Sequence, residues 1–326
     1  MKKTLVTGAG GFIGHHLVSS LKAEGHYVIG IDQKEPEFEK TRADFFCRQD
    51  LRQDCAEWQT LFQGVDEVYA LAADMGGMGY LAVHQAVLMR NNTLIDLNTL
   101  EAARQAGVKN FLYASSACVY PEHLQTSQEA VGLSEELAYP ANPQEGYGWA
   151  KLYGERLCHY YREQFHMKTR VVRFHNIYGP LGTWEGGREK APAAICRKVA
   201  EALEEGKDFI EIWGDGLQTR SFCFVEDCIK GIHLLMAKDF DGAVNLGREE
   251  LVSINAMADL VMKAAGAALR KVYVPGPQGV RGRNSDNALL KSMTGWSPQI
   301  DLETGLRLTY AWIQEQVGKN RKIGAV

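Results

Sequence analysis

The glycines between positions 8 and 14 constrain this chain more than any other feature of its sequence. Residues 4–7 are a short apolar run with strand character, and it breaks at Gly8-Ala9-Gly10-Gly11-Phe12-Ile13-Gly14. Residues 14–24 carry apolar side chains at helical spacing, and residues 27–31 read as a second strand that ends on Asp32. Strand, glycine turn, helix and strand make a βαβ unit, which commits the chain to parallel pairing. The spacing is GxxGxxG over Gly8, Gly11 and Gly14. Small residues at such a turn let backbone come close to a pyrophosphate, whose charge then falls on the helix N-terminus. Asp32 stands where a carboxylate accepts from the ribose of an adenosine and repels a 2′-phosphate. The unit is therefore read as a site for NAD, with NADP disfavoured.

Further strands are read at residues 44–47, 68–73 and 111–115, and helices at 83–106 and 147–163. This alternation implies a parallel sheet covered on both faces. After the fourth strand, Asp74-Met75-Gly76-Gly77-Met78-Gly79 reads as a glycine-rich loop that can approach a ligand with backbone alone. Further on, Tyr147-Gly148-Trp149-Ala150-Lys151 puts a phenol and an ammonium on one helix face, one turn apart. A phenol titrates near pKa ~10, and a neighbouring cation pulls that value down. Tyr147 is thus a candidate to take a proton from a hydroxyl while hydride leaves the same carbon.

Composition removes several classes of function. The 326 residues carry a net charge of -4, which leaves no nucleic-acid footprint. The seven cysteines (47, 55, 118, 158, 196, 223 and 228) form no CxxC pair and no Cys/His ligand spacing. Reduced thiols and no structural metal are expected. No apolar run is long enough to span a bilayer, and Met1-Lys2-Lys3 leads straight into the first strand, so the expected location is the cytoplasm, off the membrane. An anionic ligand has to be held by local cations, and Lys198, Arg220, Arg281 and Arg283 supply them. Arginine suits phosphate because its planar fork donates two parallel hydrogen bonds.

Three motifs together carry a resemblance: the glycine turn, Ala114-Ser115-Ser116-Ala117-Cys118-Val119-Tyr120, and the YxxxK pair. Arg173-Phe174-His175-Asn176-Ile177-Tyr178-Gly179-Pro180 and Gly214-Asp215-Gly216-Leu217-Gln218-Thr219-Arg220-Ser221-Phe222 extend it. The chain resembles the extended short-chain dehydrogenase/reductase family, the NAD-dependent epimerases and dehydratases of nucleotide sugars. The resemblance implies an α/β fold, a Rossmann-type doubly wound parallel sheet over residues 1–174 and a smaller C-terminal α/β substrate lobe over 175–326. A return to the first domain is expected at about 218–240. It implies contacts to NAD from Gly8, Gly11, Phe12, Ile13, Gly14 and Asp32, with Asp50 and Leu51 against adenine. Leu71, Ala72, Tyr147 and Lys151 complete that set, and Ser116, Tyr147 and Lys151 become the hydride-transfer triad. Subunits of the family pair through the helices after the fourth strand and around the catalytic tyrosine. A homodimer is expected, with Leu94, Leu97 and Leu100 offering apolar surface.

The residue at position 118 decides which reaction the resemblance implies. Where the dehydratases carry Thr-Asp-Glu, this chain has Ser116-Ala117-Cys118, so the acid and base for water elimination are absent. Once a sugar hydroxyl is oxidised to a ketone, hydrogens on the adjacent carbons become acidic. A thiol, with an ordinary pKa of about 8.5, can remove such a proton as its thiolate. Inversion needs an acid on the opposite face, and Lys190 is the candidate, made a readier donor by burial beside cations such as Arg188.

More specific blocks are Asp74 to Gly79, Gly186-Gly187-Arg188-Glu189-Lys190-Ala191-Pro192 and Gly279-Val280-Arg281-Gly282-Arg283-Asn284. They resemble the branch of the family that epimerises GDP-hexoses such as GDP-mannose at two carbons with a retained NAD. Carried over residue by residue, the substrate lining is Gly76, Ser116, Ala117, Cys118, Asn176 and Glu189. Lys190, Ala191, Lys198, Gln218, Thr219, Arg220 and Arg283 complete it. Plant members have a longer C-terminal tail that reaches the substrate, so the ratio of products stays open. A 4-epimerase or a 4,6-dehydratase on the same scaffold is the alternative.

Overall fold

A computed structural model describes residues 1–324, with side chains to residue 320. Its centre is a parallel sheet that runs, from one edge to the other, Ala243–Leu246, Lys168–Phe174, Asn110–Ser116, Glu67–Ala70, Lys3–Thr7, Tyr27–Asp32 and Phe45–Arg48. Its strands are near-continuous in apolar residues because helices cover both faces: Leu5, Val6, Val28, Ile31, Val68, Leu112 and Val172 are all fully buried. Strand order reverses beside Lys3–Thr7, and the loops at the carboxyl ends diverge there to open a crevice.

The fourth strand stops at Ala70, short of the expected residue 73. Leu71 and Ala72 bend away because their amides are taken by Thr7, through its carbonyl and its hydroxyl. The glycine-rich stretch after it is only partly a loop, since Met78–Val83 is helical from Gly77 onward. The long helix Gln85–Gln105 follows. Leu100, which its spacing allows on either an interface or a core face, is buried in the core of this lobe, whereas Leu97 is exposed.

Beyond Phe174 the chain builds smaller sheets and then returns. Helix Val225–Met236 packs on Phe12–Ala23, and Ala243–Leu246 adds the edge strand of the large sheet. Thr219–Ser221 lies between Leu251–Ser253 and Gly282–Ser285. Its parallel register with the latter sets Arg220 directly beside Arg283. No helix among the described residues is long and apolar enough to cross a membrane.

The strand Lys168–Phe174 is tied to its surroundings by Arg173, which is 3% exposed. Its guanidinium donates to both Glu155 oxygens, to the Tyr120 hydroxyl and to the Glu135 carbonyl. Removing the cation would strand the buried Glu155 carboxylate. Arg173→Met is therefore expected to lower stability by about 3–5 kcal/mol, measured by urea unfolding.

Candidate active site

The floor of the crevice is the glycine turn. Gly8 has φ of +73°, and a Cβ there would stand 2.8 Å from the Ala72 amide nitrogen. A Cβ on Gly14 would meet the Gly8 carbonyl oxygen at 2.0 Å. Only hydrogen fits at either place, so the turn folds flat and leaves backbone facing the crevice. Gly11 precedes helix Phe12–Ala23 without a side-chain cap, so the first amides of the helix have no side-chain acceptor at the cap. Asp32 accepts from the Gly10 and Lys34 amides at 3.0 and 3.2 Å. Burial pushes its pKa up, and those amides pull it back.

This donor set fits a dinucleotide: an uncapped helix start for the pyrophosphate, a carboxylate for a ribose, and apolar walls at Leu51 and Leu71. Phe12, Ile13, Ala72, Tyr147 and Lys151 also line the crevice, with Gly76. Asp50 does not. Its carboxylate is forked onto Arg52, at 2.6 to 3.0 Å, in place of the expected approach to adenine.

Helix Glu145–Phe165 brings Tyr147 and Lys151 to the crevice. Its first turn rests against the loop after Asn110–Ser116, and a Cβ on Gly148 would lie 2.2 Å from the Cys118 carbonyl oxygen. That contact sets Tyr147 next to Cys118 and Ser116, whose hydroxyl accepts from the Cys118 amide at 3.2 Å. Burial pushes the Tyr147 pKa up, Cys118 and Asp96 add to it, and Ser116 pulls it down. The expected depression by Lys151 is not what the polypeptide alone provides. Lys151 turns to Asp96, 3.6 Å away.

Lys190 sits one residue before helix Ala191–Glu204. Burial lowers its pKa and Arg283 lowers it further, while Cys118 and Cys228 work the other way. The expected cation was Arg188, but that side chain stacks on Tyr80, 3.8 Å from the ring centre, and faces Asp74 at 3.7 Å. Arg283 is the cation that matters to both candidate proton carriers. Its Nη1 reaches Cys118 Sγ at 3.6 Å, and Gln125 and Gln144 hold its other nitrogens. Arg220 next to it donates to the Thr219, Gln278 and Val280 carbonyls. Burial and Arg283 both push its pKa down.

Other predicted residues are already committed to protein partners. Asn176, at φ of +45°, donates to Ser221 O, and Thr219 to Gln128 O. Glu189 accepts from Gly187 N and Arg197, and Lys198 donates to Glu211 O beside the Trp213 ring. Gln218 is different: its buried Oε1 has no partner. Ala117 is buried under the loop, and Ala191 begins the helix after Lys190. Sequence reasoning missed Gln125, Gln144, Asp96 and Tyr113. Of these only Asp96 left a signal, an acid four residues from both Asn92 and Leu100 on a buried helix face.

A family model described as the NAD dependent epimerase/dehydratase family matches residues 4–247. The chain belongs to that family. Among curated members of the epimerase/dehydratase family, GDP-mannose 3,5-epimerase of Arabidopsis thaliana is 50% identical over 99% of this chain and 85% of its own. Among solved structures, UDP-glucose 4-epimerase of Thermotoga maritima with UDP-glucose superposes with a TM-score of 0.86 at 26% identity, covering 97% of this chain and 99% of that one. UDP-glucuronic acid 4-epimerase of Bacillus cereus, in complex with UDP-glucuronic acid and NAD, does so at 0.80 and 28%, covering 96% and 99%. The epimerase/dehydratase fold and its use of NAD thus agree with the crevice described above. Gly14→Ala is expected to cut the NAD content of the purified protein at least tenfold, read by releasing and quantifying the cofactor.

Proposed function

We propose that this chain converts GDP-D-mannose to GDP-L-galactose, with GDP-L-gulose from inversion at C5 alone. The observation that carries it is the grouping of Cys118 with Arg283, within electrostatic reach of Lys190 and beside Tyr147. The 50% identity to the Arabidopsis GDP-mannose 3,5-epimerase supports the choice of substrate. Tyr147 takes the proton of the C4 hydroxyl, steadied by Ser116. Gly8, Gly11, Gly14 and Asp32 would hold NAD, which when bound would supply a reversible hydride acceptor for C4, so that no net oxidation results. The C4 ketone acidifies the hydrogens on C3 and C5. In each inversion Cys118, as its thiolate, removes one of them; before the next it loses that proton to solvent and Lys190 regains one, and Arg283 faces the thiolate. Lys190 delivers a proton to the opposite ring face, and burial makes it a readier donor than a solvated lysine. Arg220 and Arg283, adjacent and without a carboxylate partner among the described residues, suit the negative charge of a diphosphate.

Incubating the protein with GDP-mannose in deuterated water tests this. Deuterium at both C3 and C5, with galactose and gulose products by NMR, is expected; label at neither carbon with a C4-inverted product would point to a 4-epimerase instead. Cys118→Ala should keep its NAD and lose exchange by about 10²–10⁴-fold.

We further propose that a second copy of the chain covers the helices Gln85–Gln105 and Glu145–Phe165, and that the protein works in the cytoplasm. Met89, Leu97, Trp149, Tyr153 and Tyr160 are exposed on these two helices. The seven free cysteines support a reducing compartment. Charge at a buried apolar contact is costly, so Leu97→Glu with Tyr153→Glu is expected to give a monomer in sedimentation velocity where the parent gives a dimer.

A further inference from the structure

Below Tyr147 lies a dry cluster of charges that the proton and hydride steps do not themselves consume. Asp96 and Lys151 are 8% and 1% exposed. Asp96 Oδ1 is 3.6 Å from the Lys151 ammonium, and Oδ2 accepts from the Tyr113 hydroxyl at 2.5 Å. The ammonium also lies 4.7 Å over the centre of the Tyr113 ring. Gly154 makes room for this arrangement, since a Cβ there would stand 2.2 Å from the Tyr113 oxygen.

The titratable groups around the pair come from three elements. Helix Gln85–Gln105 contributes Asp96, and strand Asn110–Ser116 contributes Tyr113. Helix Glu145–Phe165 contributes Lys151, Tyr147 and Cys158, with Glu155 behind Cys158. Burial and the Asp96 charge both push Tyr113 and Cys158 well up, which keeps them protonated. Burial raises Asp96 itself, and Lys151 and Tyr113 draw it back down. Among the described residues, Lys151 is therefore the one cation in the cluster, and Asp96 its one carboxylate in contact.

We propose that Asp96 is a positioning residue for the oxidation step, the counter-ion that holds the Lys151 ammonium charged and fixed one helical turn from Tyr147. The inference rests on the reading of Tyr147 and Lys151 as the oxidation pair. With no anion in reach, an ammonium shut away from water favours its neutral amine, which cannot stabilise a phenolate. The carboxylate also opposes charge on Tyr147 itself. Its contribution is thus to keep the cation in place, with the anion beneath and the phenol above.

The experiment uses Asp96→Asn, which keeps an acceptor for Tyr113 and removes only the charge. Lys151 is followed through its side-chain resonance in protein labelled with isotopic lysine, assigned by its absence in Lys151→Met. The proton on Lys151 is expected to leave at a pH at least one unit lower in Asp96→Asn than in the parent. The kcat with GDP-mannose should fall tenfold or more above that pH while KM stays within twofold, and Asp96→Glu should restore both. Tyr113→Phe, which removes the hydroxyl that shares the carboxylate and leaves its charge to Lys151, should move the Lys151 titration the other way, to higher pH, and covers the case in which Asp96→Asn does not fold. An unmoved Lys151 titration, or a loss of kcat equal at every pH, would overturn the proposal. Hydride transfer that survives Tyr147→Phe and Lys151→Met would instead overturn the reading beneath it.

Discussion

Two guanidinium groups set side by side, with no salt bridge to a carboxylate among the described residues, are the constraint around which the candidate site is built. Parallel register between Thr219–Ser221 and Gly282–Ser285 makes Arg220 and Arg283 neighbours. Dipoles hold most of the nitrogens of this pair. Carbonyls do this for Arg220, and the amide oxygens of Gln125 and Gln144 do it for Arg283. Dipoles orient a cation without cancelling its charge, so the positive potential stays available to a ligand. A chain of net charge -4 thereby keeps a local concentration of positive charge.

The tyrosine and the thiol depend on a second constraint, the contact between Gly148 and the Cys118 carbonyl. One extra carbon at position 148 would have to sit 2.2 Å from that oxygen. The glycine fixes the approach of helix Glu145–Phe165, and with it the spacing between Tyr147 and Cys118. Burial then acts against charge on both Tyr147 and Lys190, in opposite chemical senses. The phenol holds its proton more tightly and the ammonium holds it less tightly.

Much of this was legible in the sequence, and the rest was not for definite reasons. The βαβ unit and the tyrosine–lysine pair follow from local spacing, because helix and strand periods translate directly into faces, while Cys118 is marked out by the family resemblance. Contacts made across the fold do not. The fork of Arg52 onto Asp50 joins two residues in one turn, yet nothing in Asp50-Leu51-Arg52 distinguishes it from a free acid. The return of the chain to the large sheet ends with Ala243–Leu246, a strand of four residues whose apolar character is too brief to separate from a loop. The Leu94, Leu97 and Leu100 set shows the ambiguity of a helix with two buried sides, since the same periodicity serves a core and an interface.

Arg188 and Arg283 show why local sequence misassigned the electrostatics of Lys190. Arg188 is two residues away and looks like the natural neighbour. The turn through Gly186 and Gly187, with φ of +83° and +81°, instead sends it outward onto Tyr80. Arg283, more than ninety residues later, reaches both proton carriers because the small sheet folds back over the crevice. Its charge lowers the pKa of Lys190, and its Nη1 faces the Cys118 sulfur. A lysine at 283 would retain the charge and lose the fork that Gln125 and Gln144 hold, leaving the cation free to drift from the sulfur.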